Sequence, residues 1–166
     1  MLVTINTDAS FCQKNKVGGF AFWISCNKGR FKHSGPLKEV GNSGEAELMS
    51  VANALAFMLK MPQTFENITR LIINTDCKFV ITVKSERPKG GKPQVKARSI
   101  KKMIEGFIAN LHINSISRNK KALHKFCEYR HVTAHTGAND KRSFVNEWCD
   151  TEAKKWKDYK RKTTTI

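Results

Sequence analysis

The chain has 166 residues, 40% of them hydrophobic, and its 30 Lys and Arg residues outnumber its 14 Asp and Glu residues to give a formal net charge of +16. This length favours one domain over residues 1–166 with a sizeable core, and the lack of a long apolar run argues against a membrane span. The excess positive charge indicates a polyanionic partner, with nucleic acid as the first candidate. A membrane surface is second, because the sequence predicts no basic helix with a broad apolar face; a basic protein without such a partner is the remaining alternative.

The five cysteines indicate free thiols in a reducing compartment, because their number is odd and they form no Cys-x-x-Cys pair. They are Cys12, Cys26, Cys77, Cys127 and Cys149. The first predicted strand leaves no room for a signal or transit peptide, so we expect a cytoplasmic protein, and we expect a monomer. The composition is rich in Lys, Asn and Ile, which points to an AT-rich genome, with a virus or phage among the candidate sources.

Three short strands are predicted first, as an antiparallel meander. The first is Leu2–Ile5, the second Gly18–Ile24 and the third Phe31–Ser34, which we expect to end at the Gly-Pro pair 35–36. The Asn-Lys-Gly sequence at 27–29 is typical of a hairpin turn.

An amphipathic helix is predicted from Ser43 to Lys60. Its apolar residues recur at intervals of three and four: Leu48, Val51, Ala52, Leu55, Met58 and Leu59. Asn42 is the expected N-cap, and Glu45 is placed to reach back to it in a capping box. Glu47 lies on the apolar stripe, where a carboxylate is costly unless it is paired or bound to a metal. The alternative is that Glu47 lies at the rim of the stripe and reaches water.

Strands and helices alternate beyond Pro62. A strand at Leu71–Ile73 is connected to the first strand through the helix and is expected to pair with it in parallel. A short helix over 77–85 follows, and a basic stretch over 84–102 runs into a helix over 95–111. This stretch predicts phosphate contacts, with a solvated surface loop as the alternative.

The last part of the chain is harder to assign. Residues 111–125 permit no assignment, and we expect a fifth strand over 126–132 and a last helix over 146–159. The basic, Thr-rich tail over 160–166 is expected to fray.

The sequence Ile-Asn-Thr-Asp ends both strands that are predicted to be parallel, at Ile5–Asp8 and again at Ile73–Asp76. Parallel pairing would bring the two carboxylates to one edge of the sheet, where they would repel each other unless a cation lay between them. A hard divalent ion such as Mg²⁺ prefers oxygen ligands of this kind. The alternative is that each Asp only caps the following loop or helix.

Two more candidate site residues lie near the end of the chain. Asp150 is expected near the start of the last helix, and His135 in the loop before it. Both would face the other carboxylates if that helix packs beside the first strand. The alternative for His135 is an ordinary loop histidine.

These motifs resemble, in order along the chain, the signatures of type 1 ribonuclease H. The matching sequences are Thr-Asp-Ala-Ser at 7–10, Glu-Leu-Met at 47–49, Thr-Asp at 75–76, His-Thr-Gly at 135–137 and Asn-Glu-Trp-Cys-Asp at 146–150. The glycine pair at 18–19 and Ala153 match as well, and the resemblance extends from residue 3 to about residue 157. It implies an α/β, ribonuclease H-like fold, in which helices flank a five-stranded mixed sheet of three antiparallel strands and then two parallel ones.

The resemblance implies a metal-dependent endonuclease that hydrolyses the RNA strand of RNA–DNA hybrids with two Mg²⁺ ions, for which Mn²⁺ is a candidate substitute. The products would carry 5′-phosphate and 3′-hydroxyl ends. Asp8 would bridge both ions, Asp150 would complete the site of the ion that activates water, and Glu47 and Asp76 would hold the other ion. His135 would assist proton transfer or product release. Hard oxygen ligands around two ions suit phosphodiester hydrolysis.

The resemblance also implies substrate contacts. Contacts to RNA 2′-hydroxyl groups would come from Ala9, Ser10, Ser43 and Gly44. Contacts to the DNA strand would come from the basic stretch, through Lys89, Lys92 and Lys96. Three features depart from the family pattern: Lys78 replaces a substrate-contacting Gln, Ser43 and Gly44 replace an Asn pair, and extra residues around 140–143 lengthen the loop before the last helix.

Two alternatives from other functional classes stay open. One is a catalytically idle nucleic-acid-binding domain of this fold, against which the presence of all four carboxylates argues. The other is a structure-specific DNA nuclease like the resolvases, against which the Thr-Asp-x-Ser and His-Thr-Gly sequences argue.

Overall fold

A computed structural model describes residues 1–86, 94–115, 123–133 and 141–164. The strands are β1 Leu2–Cys12, β2 Val17–Cys26, β3 Gly29–Leu37, β4 Arg70–Thr75 and β5 Cys127–His131. The helices are α1 Ser43–Leu59, α2 Lys78–Thr82, α3 Val95–Asn114, α4 Leu123–Phe126 and α5 Lys141–Thr164. None of the helices in these ranges is long and apolar enough to cross a bilayer.

The strands form one mixed sheet in the order β3-β2-β1-β4-β5. The pairs β1–β2 and β2–β3 are antiparallel, and the pairs β1–β4 and β4–β5 are parallel. The predicted fold class is therefore confirmed. The two copies of the repeated sequence pair in register, with Ile5 beside Ile73 and Asn6 beside Asn74.

Different helices cover the two faces of the sheet. Successive β2 residues point to opposite faces, so alternate residues of this strand belong to different cores. Phe20, Phe22 and Ile24 belong to the larger core, which α1 and α3 complete on one face. Ala21 and Trp23 belong to a smaller core on the other face, with Cys149 and Ala153 of α5. The sheet thus lies between two helical layers.

Helix α5 packs against the sheet through its aromatic residues. The indole rings of Trp23 and Trp148 meet edge to face with centroids 5.6 Å apart. Nearer the carboxyl end of the helix, Trp156 Nε1 donates a hydrogen bond of 3.0 Å to Ser34 Oγ on β3. These contacts fix the helix along its length.

The start of α1 matches the expected cap, with one difference. Glu45 N donates to Asn42 Oδ1 at 2.9 Å, as in a capping box. The Glu45 carboxylate reaches one residue further back than expected and accepts a hydrogen bond of 2.8 Å from Gly41 N. Glu45 is therefore structural, which leaves Glu47 as the carboxylate without a capping role.

Several predicted boundaries were wrong. β3 continues through Pro36 to Leu37, which is possible because β3 is an edge strand and its outer side needs no amide donor. α2 is shorter than predicted, and β5 begins one residue late because α4 precedes it. α5 begins at Lys141 rather than at residue 146, so the residues after 140 that were assigned to a longer loop are helical. It also continues to Thr164 rather than ending at residue 159.

Candidate active site

Three carboxylates meet just beyond the point where the parallel pairing of β1 and β4 ends. Asp8 lies on β1, Asp76 directly follows β4, and Glu47 comes from the beginning of α1. Each offers one oxygen, and these three oxygens all lie within 4.8 Å of one another. The in-register pairing of the repeated sequence explains why Asp8 and Asp76 lie at the same level.

Backbone groups hold two of these carboxylates. Ala9 N donates both to Asp8 Oδ1 at 2.7 Å and to Glu47 Oε1 at 3.3 Å. Ser50, fully buried on α1, donates from Oγ to the carbonyl oxygens of Asp8 at 2.9 Å and Ala21 at 3.1 Å. The position of Asp8 is therefore set from β1 and from α1.

Burial and mutual repulsion make the site a poor place for unbalanced negative charge. Burial, followed by the charges of Asp76 and Asp150, raises the pKa of Asp8 to about 7. Burial, followed by the charges of Asp8 and Asp76, raises the pKa of Glu47 well above its ordinary value. A cation among the three would remove both penalties.

The residues present fit a divalent ion. Glu47 is only 8% exposed, and its Oε2 is buried without a hydrogen-bond partner among the described residues. Such an oxygen costs free energy unless it is protonated or ligates a cation. The donors are all carboxylate oxygens, the ligand type that Mg²⁺ and Mn²⁺ prefer.

Asp150 borders this cluster without joining it. It lies well inside α5 rather than near the start of the helix, and it is not among the three residues whose oxygens converge. Its Oδ2 accepts a hydrogen bond of 2.6 Å from Lys154 Nζ. Its charge still contributes to the raised pKa of Asp8.

The structure separates the predicted substrate-contacting residues into groups. Ala9 and Ser10 continue β1 beyond Asp8, but the Ala9 amide already donates to two carboxylates. Lys78 opens α2. Ser43, Gly44 and Lys96 line one cavity of about 610 Å³ between the first turns of α1 and α3. His135, Lys89 and Lys92 lie outside the described residues.

Three residues around the site escaped the sequence reasoning. The side chain of Phe79 lines the cavity and lies so close to Gly44 that a Cβ there would be 2.7 Å from the ring. Ser50 could have been noticed as a polar residue inside the apolar stripe of α1. Lys154 follows Asp150 by four residues, the spacing of ion pairs on a helix.

Comparisons with known proteins agree with the fold. The RNase H family model matches residues 2–157. The structure of RNase H1 from the halophilic archaeon Halobacterium salinarum NRC-1 is similar with a TM-score of 0.61 at 12% identity, over 95% of this chain and 98% of that one. The N-terminal RNase H domain of Rv2228c from Mycobacterium tuberculosis, solved as a fusion with maltose-binding protein, is similar with a TM-score of 0.62 at 13% identity, over 98% of this chain and 97% of that one. No curated protein matches the sequence.

The fold is that of the ribonuclease H proteins, and the site is a carboxylate cluster suited to a metal ion. The chain belongs to the RNase H family and is a ribonuclease H enzyme, a nucleic-acid-binding hydrolase. The resemblance seen in the sequence is confirmed.

Proposed function

We propose that this enzyme hydrolyses the RNA strand of RNA–DNA hybrids and leaves 5′-phosphate and 3′-hydroxyl ends. The observation that carries the proposal is the convergence of Asp8, Glu47 and Asp76, with an unsatisfied buried oxygen, in a member of the RNase H family. The family acts on such hybrids. The net charge of +16 suits a substrate with two phosphate backbones.

Two divalent ions, Mg²⁺ or Mn²⁺, are proposed at this site. Asp8 would ligate both, because it belongs to the converging carboxylates and its pKa is raised by the charges of both Asp76 and Asp150. Ions at such a site supply a deprotonated water as nucleophile and neutralise charge on the leaving oxygen. Ala9 N keeps the Asp8 and Glu47 carboxylates oriented, and His135 is proposed to assist proton transfer or product release.

The cavity beside the site is proposed to accept one strand of the hybrid. It lies between the first turns of α1 and α3, where the helix dipoles favour anions. Lys96 adds a positive charge, and Phe79 offers an aromatic wall. Because the Ala9 amide is already engaged, contacts to RNA 2′-hydroxyl groups fall to Ser10, Ser43 and Gly44 in this proposal.

Cleavage of matched labelled duplexes tests the proposal. RNA–DNA hybrid, double-stranded RNA, duplex DNA and a four-way DNA junction would be incubated with the enzyme in Mg²⁺, Mn²⁺ or EDTA. We expect cleavage of the RNA in the hybrid only, with either ion and not in EDTA, and fragments that a 5′-phosphate-dependent exonuclease degrades. Cleavage of the junction alone would favour a resolvase-like enzyme, and binding without any cleavage would favour an idle domain.

The basic stretch gives a second prediction. Replacing Lys89, Lys92 and Lys96 with Ala should weaken hybrid binding about equally for all sequences and reduce the slope of log K against log salt by about one for each lysine that binds a phosphate. Lys28→Ala is the control. Lys28 lies in the β2–β3 turn, outside the basic stretch, and pairs with Glu66 at 3.1 Å. Fluorescence anisotropy at several salt concentrations measures both. A triple variant with an unchanged slope would place the substrate elsewhere.

We also infer that residues 1–166 form one domain that acts as a monomer in a reducing compartment such as the cytoplasm. The five cysteines are all free thiols, which supports this setting. Light scattering coupled to size-exclusion chromatography tests the monomer.

A further inference from the structure

Asn6 and Asn74, each two residues before an aspartate of the cluster, form a buried pair between β1 and β4. Asn74 Nδ2 donates a hydrogen bond of 2.9 Å to Asn6 Oδ1. The two residues are 7% and 6% exposed. They occupy equivalent positions in the repeated Ile-Asn-Thr-Asp sequence and pair in register. Neither has a role in the function proposed above.

The amide pair lies one step below the carboxylates. Side chains two residues apart on a strand point to the same face, so Asn6 lies under Asp8, and Asn74 precedes Asp76 by the same interval. A hydrogen bond between the two amides therefore ties together the strand positions that support the two carboxylates.

Asn6 also contacts the helix that carries the remaining carboxylate. Its backbone carbonyl oxygen accepts a weak hydrogen bond of 3.8 Å from Cys149 Sγ, one residue before Asp150. Cys149 is 1% exposed, so this contact lies inside the small core between α5 and the sheet. Asn6 is thus the point where β1, β4 and α5 meet.

Burying two amides between neighbouring strands costs desolvation free energy. Two β-branched apolar residues would pack there without polar desolvation. The hydrogen bond between the Asn74 amino group and the Asn6 amide oxygen offsets part of this cost. A slip of β4 by one residue would separate the two side chains and break the bond. Such a slip would also move Asp76 by about 3.3 Å relative to Asp8.

We propose that the Asn6–Asn74 pair is a positioning device that fixes the separation of Asp8 and Asp76. Its effect is on the affinity of the site for divalent ions. The inference rests on the proposed metal-dependent function.

The test compares two double variants of nearly equal shape. Asn6→Val with Asn74→Val removes the hydrogen bond, whereas Asn6→Thr with Asn74→Thr replaces it with a hydroxyl pair, which neighbouring strands accommodate. We expect the valine variant to bind Mn²⁺ about 10–100-fold more weakly by calorimetry and the threonine variant to recover most of the loss. With hybrid substrate, the valine variant should need more metal for half-maximal rate while its KM stays near that of the unmodified enzyme.

Thr7→Val is the matched control. Thr7 is a neighbouring β1 residue, 6% exposed, whose hydroxyl has no hydrogen-bond partner among the described residues. It lies on the opposite face of the strand from the pair, so its substitution should leave Mn²⁺ affinity unchanged. A loss of affinity there equal to that of the valine variant would overturn the positioning role.

The outcomes separate the two proposals. If the unmodified enzyme binds no Mn²⁺ and cleaves no hybrid, the proposed function is wrong. If it does both and the folded valine variant binds Mn²⁺ equally well, only the positioning role is wrong. Should the valine variant fail to fold, Asn74→Ala takes its place: a loss of affinity of about tenfold supports the role, and unchanged affinity overturns it.

Discussion

Replacing Asp8 with asparagine is expected to reduce hybrid cleavage by about 10²–10³-fold or more, while making the metal-free protein more stable at pH 8. The loss follows because Asp8 is the carboxylate proposed to ligate both ions. The gain follows because burial and the charges of Asp76 and Asp150 raise the pKa of Asp8 to about 7. Asparagine keeps the acceptor for Ala9 N and carries no charge.

The sign of the pH dependence follows from linkage. A carboxyl whose folded pKa of about 7 exceeds its ordinary value of 3.8 binds its proton more tightly in the folded state. Below pH 3.8 that stability is fully present, and it is lost as pH rises through about 7. The raised pKa of Glu47 acts in the same direction. Asp8→Asn should therefore differ little from the unmodified protein at pH 4 and exceed it by a few kcal/mol at pH 8.

Urea unfolding in EDTA at the two pH values measures this effect, and Asp158→Asn is the control. Asp158 lies on the same helix as Asp150, but its side chain is 47% exposed and outside the cluster. A metal-free Asp8→Asn protein no more stable than the unmodified one at pH 8 would contradict the electrostatic account of the site. Cleavage at the unmodified rate would contradict the metal assignment.

Replacing Gly19 with alanine is expected to destabilise the protein by about 1–3 kcal/mol or more and to impair cleavage in the fraction that folds. A Cβ on Gly19 would overlap the carbonyl oxygen of Ala153 and lie 2.7 Å from Trp156 Cβ and 2.9 Å from Lys157 N. These are mostly atoms of the α5 backbone, which cannot turn aside as a side chain can. Helix α5 must therefore move away from β2 and take Asp150 with it.

Gly106→Ala is the matched control for this substitution. Gly106 lies inside α3, and a Cβ there would meet nothing within 4 Å. Alanine should stabilise the helix by about 0.5–1 kcal/mol. Thermal unfolding of the two variants should therefore move in opposite directions. A Gly19→Ala protein as stable as Gly106→Ala would show that α5 is not tightly packed on β2.

The positions of Asp8, Glu47 and Asp76 were predictable because they depend on strand pairing and on the order of the elements along the chain. The repeated Ile-Asn-Thr-Asp sequence and the intervening helix sufficed to predict parallel strands with adjacent carboxylates, and the strands pair as expected. The apolar stripe of α1 likewise predicted that Glu47 would be directed inward. Each of these inferences used only the periodicity of the sequence and the order of the elements along the chain.

The start of α5 was not predictable in this way. Its first turn contains no acidic residue, and its Lys141–Arg142 pair is unfavourable at a helix amino terminus. Tertiary contacts oppose that preference: the Phe144 ring meets Trp23 edge to face with centroids 5.9 Å apart. The continuation of β3 through Pro36 has a similar origin, since only the assembled sheet shows that β3 is an edge strand.

The distribution of the indole rings has a practical consequence. The chain has three tryptophans, and Trp23, Trp148 and Trp156 all lie where α5 meets the sheet. Intrinsic tryptophan emission therefore reports the packing of α5 on the sheet. Helices α1 and α3 contain no tryptophan. Stopped-flow fluorescence set beside far-ultraviolet circular dichroism can thus time the arrival of Asp150 separately from the formation of the rest of the protein.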